Sequence, residues 1–400
     1  VPVFLRKPDG FAGSELETVI ITSAVPVMAI TSIFWNEVYR RMDLHFYLFL
    51  VWLLAFLPLG GIALCYQPES VVFFIVLSAF GLAGTNSISG DIMRKGYPEQ
   101  VRGRLFGIMN ASGQITIIIL TFIIGKWLTS DDQAFRIYMP ITAFILGVGN
   151  CLLYKITCEP EFLQQRKAHP AERLRTSLLN ACRSMITVLR RDRNFRKYET
   201  AFFIYGTGWM ICHSLLPFIV VDKLELDYDE VAYATQVTFF LVILITMVPA
   251  GYLLDKIGPI RTAALGYCCI MIYALGLMAA DSVIILTIAV FFSGLGLCGV
   301  ILAWTLGPVA LARDPSQAAH YLAIHATLVG ARALIGQYSA VFFYKYTGNL
   351  DIPLAVAVIL VIFGAIVMGR LARDPSMIQK PAPAPAPIDA MSDIEHDVIP

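Results

Sequence analysis

Apolar runs of about 17–24 residues, each close to the length that crosses a bilayer as a helix, alternate with short polar segments through most of the chain. They predict eleven spans, over residues 18–35, 46–65, 71–90, 105–125, 137–156, 199–221, 234–250, 262–280, 283–306, 320–343 and 353–369. The clearest pair flanks Gly251-Tyr-Leu-Leu-Asp-Lys-Ile-Gly-Pro-Ile-Arg261. Residues 234–250 and 262–280 carry no charge, so the polar stretch between them reads as a hairpin turn between two transmembrane helices. The expected fold class is an all-α polytopic membrane protein.

The pattern also divides the chain. Residues 1–156 form an N-terminal helical half and 199–370 a C-terminal half of six helices. Residues 157–198 are a polar linker holding ten Lys or Arg against four acids. Within it Leu174, Leu178, Cys182, Met185 and Leu189 recur at helical spacing, which predicts a basic amphipathic helix lying along an anionic membrane surface. Residues 371–400 begin with Pro-Ala repeats, which cannot build a core and predict an extended tail. The halves align at an offset of 215: Pro2 with Pro217, Glu15 with Glu230, Ser78, Gly81, Leu82 and Gly84 with Ser293, Gly296, Leu297 and Gly299, Ala111 with Ala326, and Ile137 with Ile352. In this register residues 199–216 lack a counterpart. The expectation is a twelve-helix chain whose sequence begins late, or eleven helices in which one half has lost its first.

Composition agrees with the pattern. Only 15% of residues are charged and 57% are hydrophobic, against roughly 25% charged in a soluble globule, and mean hydropathy is +0.69. The net charge of +1 carries no information, but its distribution does. Loops 36–43, 91–104, 157–198, 251–261, 312–316 and the segment after 369 hold twenty-two Lys or Arg, and the alternate loops hold six. This asymmetry predicts that the first group, and the C-terminus with it, is cytoplasmic. The remaining two of the thirty cations are Lys155, at a span edge, and Arg332. Eight cysteines lie mostly in or beside apolar runs without ligand spacing, and read as packing residues. The N-terminus lacks a signal-peptide pattern. No cofactor, metal or nucleic-acid partner is implied, and no hydrolase, metalloprotease or ATP-binding motif is present, so no enzyme is expected.

Polar residues inside spans are the candidate site, because burying them in lipid is costly. Arg332 falls about 20 Å into its span. It either contacts an anionic or carbonyl-bearing solute or pairs with an acid or helix-end carbonyls. His325 precedes it by seven residues on nearly the same face. Asn110 and Gln114 are four apart, and Asn110 is the repeat counterpart of His325, which suggests polar positions around a shared central cavity. Trp209 and His213 form a further polar-aromatic pair. Asn86 and Asp91 lie near the end of the third span, where Asp91 either accepts a proton or pairs with Arg94 or Arg102. A bundle serving as a receptor or scaffold without transport is the alternative function.

Taken together, the chain resembles the major facilitator superfamily of secondary transporters over about residues 1–370. Gly251, Asp255, Lys256, Gly258 and Arg261 match the positions that define its signature loop between the second and third helices of a half. The resemblance implies an MFS-like bundle of two halves that rock about a central site, admitting a small solute by alternating access, with a proton or sodium ion as the expected coupling ion. It implies that Asp255 caps or pairs at a helix end, that Arg261 ties the loop to a neighbour, and that the molecule is a monomer among membrane lipids. The equivalent first-half loop, Asn36 to Phe46, keeps basic charge but lacks the glycine and aspartate positions.

Overall fold

A computed structural model describes residues 2–8, 10–96, 99–157, 174–312 and 318–374, and among these there is no strand. A short α1 (Pro2–Arg6) precedes α2 (Glu15–Met28) and α3 (Ser32–Arg41). The remainder of the first half is α4 (Leu44–Leu64), α5 (Pro68–Gly96), α6 (Glu99–Ser130) and α7 (Phe135–Thr157). The linker contributes α8 (Leu174–Arg191). The second half is α9 (Arg193–Lys223), α10 (Tyr228–Ile257), α11 (Pro259–Met278), α12 (Val283–Leu311), α13 (Ala318–Thr347) and α14 (Asp351–Leu371).

Ten helices among the described residues are long and apolar enough to cross a membrane. The eleventh expected span, 18–35, is not one rod. It is split into α2 and α3 by a turn of 3-10 helix at Ala29–Thr31. Pro26 lies inside α2 and cannot donate to the carbonyl four residues before it, which weakens the last turn of α2 ahead of the break.

Local chemistry sets the helix starts. Ser14 and Glu17 close a capping box on α2, and Asp227 and Glu230 close another on α10. Asp43 accepts from the amides of His45 and Phe46 at the start of α4, and Asp192 does the same for Asn194 and Phe195 at α9. The 215-residue repeat reappears in the elements. Leu44 and Pro259 start one corresponding pair of helices, and Pro68 and Val283 another.

The predicted turn at 251–261 is mostly helix. α10 runs through Ile257, Pro259 opens α11, and only Gly258 separates them. Its φ of 81° and ψ of 165° are a backbone conformation that only glycine adopts easily. Gly258→Ala is therefore expected to destabilise the protein by about 1–3 kcal/mol. Gly251→Ala, at a helical position with open space around it, is expected to be neutral or stabilising. Thermal unfolding of the two variants side by side checks both. Arg261 donates from Nε to the Ala372 carbonyl at 3.3 Å, tying this corner to the end of α14. Asp255 is exposed and has no hydrogen bond or ion pair among the described residues, so the expected cap is not formed by its side chain here.

The hydrophobic cores follow the two halves. The largest is built from α9 to α14, and Val19 is its one buried member from the first half. A second lies entirely within α3, α4 and α5. A third gathers α1, α2 and the facing ends of α4 to α7, joined from the second half by Tyr228. The linker helix is partly docked: Met185, Val188 and Leu189 pack with Phe195, Tyr321 and Ile324. Leu179 and Ile186 on another face remain exposed. Exposed Ile115, Ile119, Phe122 and Ile123 along α6 are what a lipid-facing helix presents.

Candidate functional site

The halves meet on one face through polar contacts. Arg6 forks onto Asp222, Nε to Oδ1 at 3.1 Å and Nη2 to Oδ2 at 2.9 Å. Its Nη1 donates to the Gly13 carbonyl at 3.0 Å, and Glu15 lies 3.5 Å from Nη2. Partial burial works against the Arg6 charge, but the hydrogen bond and field of Asp222, with Glu15, outweigh it and raise the guanidinium above its ordinary value. Lys7 lies 3.6 Å from Asp227 and over the Tyr228 ring at 4.4 Å. The Asp229 amide donates to Thr129 Oγ1 at 3.1 Å, which ties α6 to the start of α10. The acidic segment 222–230, which the sequence marks only by its charge, is thus the counterpart of the two N-terminal cations.

Near these contacts lies a half-open cavity of about 460 Å³. Both halves line it: Phe4, Thr22 and Thr121 from the first, His213, Thr235 and Gln236 from the second. His213 Nδ1 is buried without a hydrogen-bond partner. Its ring lies 5.3 Å from Trp209, tilted by 31°. His213, with its unpartnered buried nitrogen, is a candidate ligand contact at the cavity wall.

The other predicted residues are placed differently. Arg332 is 6% exposed within the second half, and its Nη1 donates to the Phe202 carbonyl at 2.6 Å. Of the two sequence readings for Arg332, this contact matches pairing with a carbonyl. His325 is 1% exposed and meets Glu199. Neither lines this cavity, and α9 and α11 to α13 close around them. Trp209 packs against the second-half core. Gln114 has a buried, unpartnered Oε1 on α6, and the side chain of Asn110 lies outside the described residues, as do those of Asn86, Asp91, Arg94 and Arg102.

Sequence reading missed Glu199, which stood at a predicted span boundary. A signal was present. Asp192, Glu199, Gly206 and His213 recur every seven residues along α9, a polar and small row on one face of a helix. Each step has a counterpart: Asp192 accepts from the Tyr321 hydroxyl at 2.9 Å, Glu199 meets His325, and Gly206 leaves room for the Arg332 guanidinium, which a Cβ there would approach to 2.2 Å. The fourth step, His213, opens on the cavity.

A two-half bundle of long apolar helices with lipid-facing outer faces defines a polytopic membrane protein. The chain belongs to the Major Facilitator Superfamily, whose family profile matches residues 2–337. It is 23% identical over 203 residues to the cis,cis-muconate transport protein of Acinetobacter baylyi (strain ATCC 33305 / BD413 / ADP1). That match covers 50% of this chain and spans about half of the relative, 48% of its length. In fold the chain is similar to the nucleoside transporter NupG (D323A mutant), with a TM-score of 0.71 at 11% identity over 94% of each chain. It is also similar to a POT family transporter in complex with 5-aminolevulinic acid, with a TM-score of 0.67 at 16% identity, covering 92% of this chain and 90% of that one.

Proposed function

We propose that this protein is a secondary active transporter that moves a small carboxylate-bearing solute by alternating access. The observation that carries the reading is the set of partly exposed ion pairs and single hydrogen bonds that joins the two halves beside a cavity lined by both. The apolar cores divide almost entirely by half. The seal over the cavity is made of partly exposed ion pairs and single hydrogen bonds. Such pairs are worth about 0–1 kcal/mol each, so the seal can open while each half stays intact. His213, Gln236 and three threonines line the cavity and offer contacts to a polar solute. The likeness to a muconate transporter favours a carboxylate.

In this reading the seal is the outer gate, the C-terminus is cytoplasmic by the charge asymmetry of the loops, and the corners at 36–46 and 251–261 latch the inner side. The molecule acts as a monomer in the bilayer.

The test is solute exchange in proteoliposomes, with radiolabelled cis,cis-muconate and other small carboxylates offered alongside a nucleoside. A pair of cysteines, Thr129→Cys with Asp229→Cys, clamps the seal. Exchange is expected in the reduced protein, with a loss of at least about tenfold on oxidation and recovery on reduction. Exchange that is indifferent to the clamp contradicts alternating access. No exchange of any solute favours the receptor or scaffold role.

A further inference from the structure

The linker helix α8 has two unlike faces. Met185, Val188 and Leu189 pack with Phe195, Tyr321 and Ile324. α8 also touches α3, so it lies against both halves. Its end is fixed, because Arg196 Nη1 donates to the Leu189 and Arg190 carbonyls, each at 3.2 Å. The other face carries Leu179, Arg183, Ile186 and Arg190, spaced four, three and four residues apart and all exposed, with exposed Cys182 beside them. Residues at that spacing form one row along a helix. Arg183 and Arg190 make no ion pair among the described residues. The row is an apolar and cationic strip on a helix that is itself held in place.

The end of α14 lies close by. Lys197 Nζ donates to Asp374 Oδ2 at 3.0 Å, and Arg261 holds the Ala372 carbonyl. Lys197 stands on α9 six residues after the end of α8 at Arg191. The chain therefore leaves α14 beside the joint between α8 and α9.

Beyond Asp374 the sequence has two parts. Residues 375–387 hold five prolines. At ~3.1 Å per residue such a stretch reaches up to about 40 Å, more than the ~17 Å of helix from Leu179 to Arg190. Residues 388–400 then repeat the pattern of α8 with the opposite sign. Ile388, Met391, Ile394 and Val398 fall three or four apart, Asp389, Asp393 and Asp397 fall four apart, and there is no Lys or Arg. On a helix these positions make an apolar row beside an acidic one.

We infer that residues 388–398 dock on the exposed face of α8, with the apolar row over Leu179, Cys182 and Ile186 and the aspartates toward Arg183 and Arg190. Opposite charge selects this face. An anionic lipid surface attracts the two arginines but repels Asp389, Asp393, Glu395 and Asp397, so the linker, not the membrane, suits both rows of the segment. The tether holds the two at an effective concentration on the order of 1 mM, at which a weak contact is populated. Docked, the segment covers the apolar edge of α8 and offsets its charge. This contact is independent of the transport reading.

The test uses the full chain in nanodiscs and its native Cys182. Met391→Cys is expected to form an intramolecular disulfide with Cys182 on mild oxidation, identified by mass spectrometry of the linked peptides and lost in Cys182→Ser. Ala382→Cys, on the same tether but outside the row, is expected to link at least about fivefold less, because the tether alone brings it no closer than any other chain segment. Arg183→Glu with Arg190→Glu is expected to lower the Met391→Cys yield at least about fivefold, the effect of one or two exposed ion pairs. Adding Asp389→Lys and Asp393→Lys to that chain is expected to restore it. Thermal unfolding verifies that each variant is folded. Equal linking from positions 382 and 391 shows tether proximity alone and overturns docking. A yield that ignores the charge reversal, or that the swap fails to restore, does the same.

Lipid composition separates the membrane as occupant. The yield is expected to persist when phosphatidylglycerol replaces half of the phosphatidylcholine. A link that forms in phosphatidylcholine and vanishes with phosphatidylglycerol gives this face to the anionic membrane surface and overturns the assignment.

Discussion

Arg332→Ala is expected to destabilise the second half by about 1–3 kcal/mol, the usual cost of leaving a buried hydrogen-bonding group without its partner. The guanidinium is 6% exposed, and its bond to the Phe202 carbonyl joins α13 to α9. Without it the space left by Gly206 is empty and the Phe202 carbonyl loses this donor. Gly206 offers an independent route to the same failure. A Cβ there would lie 2.2–2.4 Å from three guanidinium atoms of Arg332, so Gly206→Ala displaces the cation without removing it. The double variant is expected to cost less than the sum of the singles, because both act on one contact. Thermal unfolding of the four proteins in one detergent measures this. Additive losses would mean that Arg332 and Gly206 act apart, and that the guanidinium is held by something other than the gap at position 206.

The second large effect is expected at the paired helix crossings. A Cβ at Gly81 would lie 2.4 Å from the backbone nitrogen of Ala55, and one at Gly296 would lie 2.7 Å from the Gly266 carbonyl oxygen. Backbone atoms cannot swing aside as a side-chain tip can, so the helices themselves must separate. At the first crossing that also stretches the 2.6 Å bond from Ser78 Oγ to the Ala55 carbonyl. Gly81→Ala and Gly296→Ala are each expected to cost about 1–3 kcal/mol, the range for overpacking a tight contact. Valine at either position should prevent accumulation of folded protein. Their repeat companions Gly84 and Gly299 meet their nearest neighbours at 3.0 and 3.2 Å, a Trp35 side-chain atom and a Thr262 methyl. Alanine there is expected to cost less. Melting temperatures of the four variants give the comparison, and equal losses at all four would contradict it.

How much of this was legible follows from the range of each interaction. The spans could be read because lipid imposes length and apolarity on consecutive residues. The paired glycines could be read because the repeat places them twice. Helix ends were less legible, since a charged segment still forms helix when it is capped. Asp227 and Glu230 start α10 inside the acidic loop, and the helix continues past Gly251 to Ile257. The break between α2 and α3 had only Pro26 as a hint. The partner of Arg332 was beyond sequence reasoning. Intramembrane arginine demands compensation, but nothing local indicates a carbonyl 130 residues away. The heptad row on α9 was visible in principle. It passed unread because Asp192 and Glu199 fell at the edge of an apolar run, where charges ordinarily mark the membrane surface.

The central claim is that two rigid halves exchange between a sealed and an open arrangement. Distances between spin labels at exposed positions of the full chain in nanodiscs test it most directly. One pair, Asp131→Cys with Asp281→Cys, lies in the polar connections flanking α6–α7 and α11–α12. The other, Arg41→Cys with Lys256→Cys, spans the corners at 36–46 and 251–261. The predicted result is two populations at each pair, with opposite sense: the first lengthens as the second shortens. Breaking the seal with Asp222→Asn should shift the balance toward the first pair's longer distance. A single distance at each pair, unchanged by Asp222→Asn and by added solute, would contradict the two-state account.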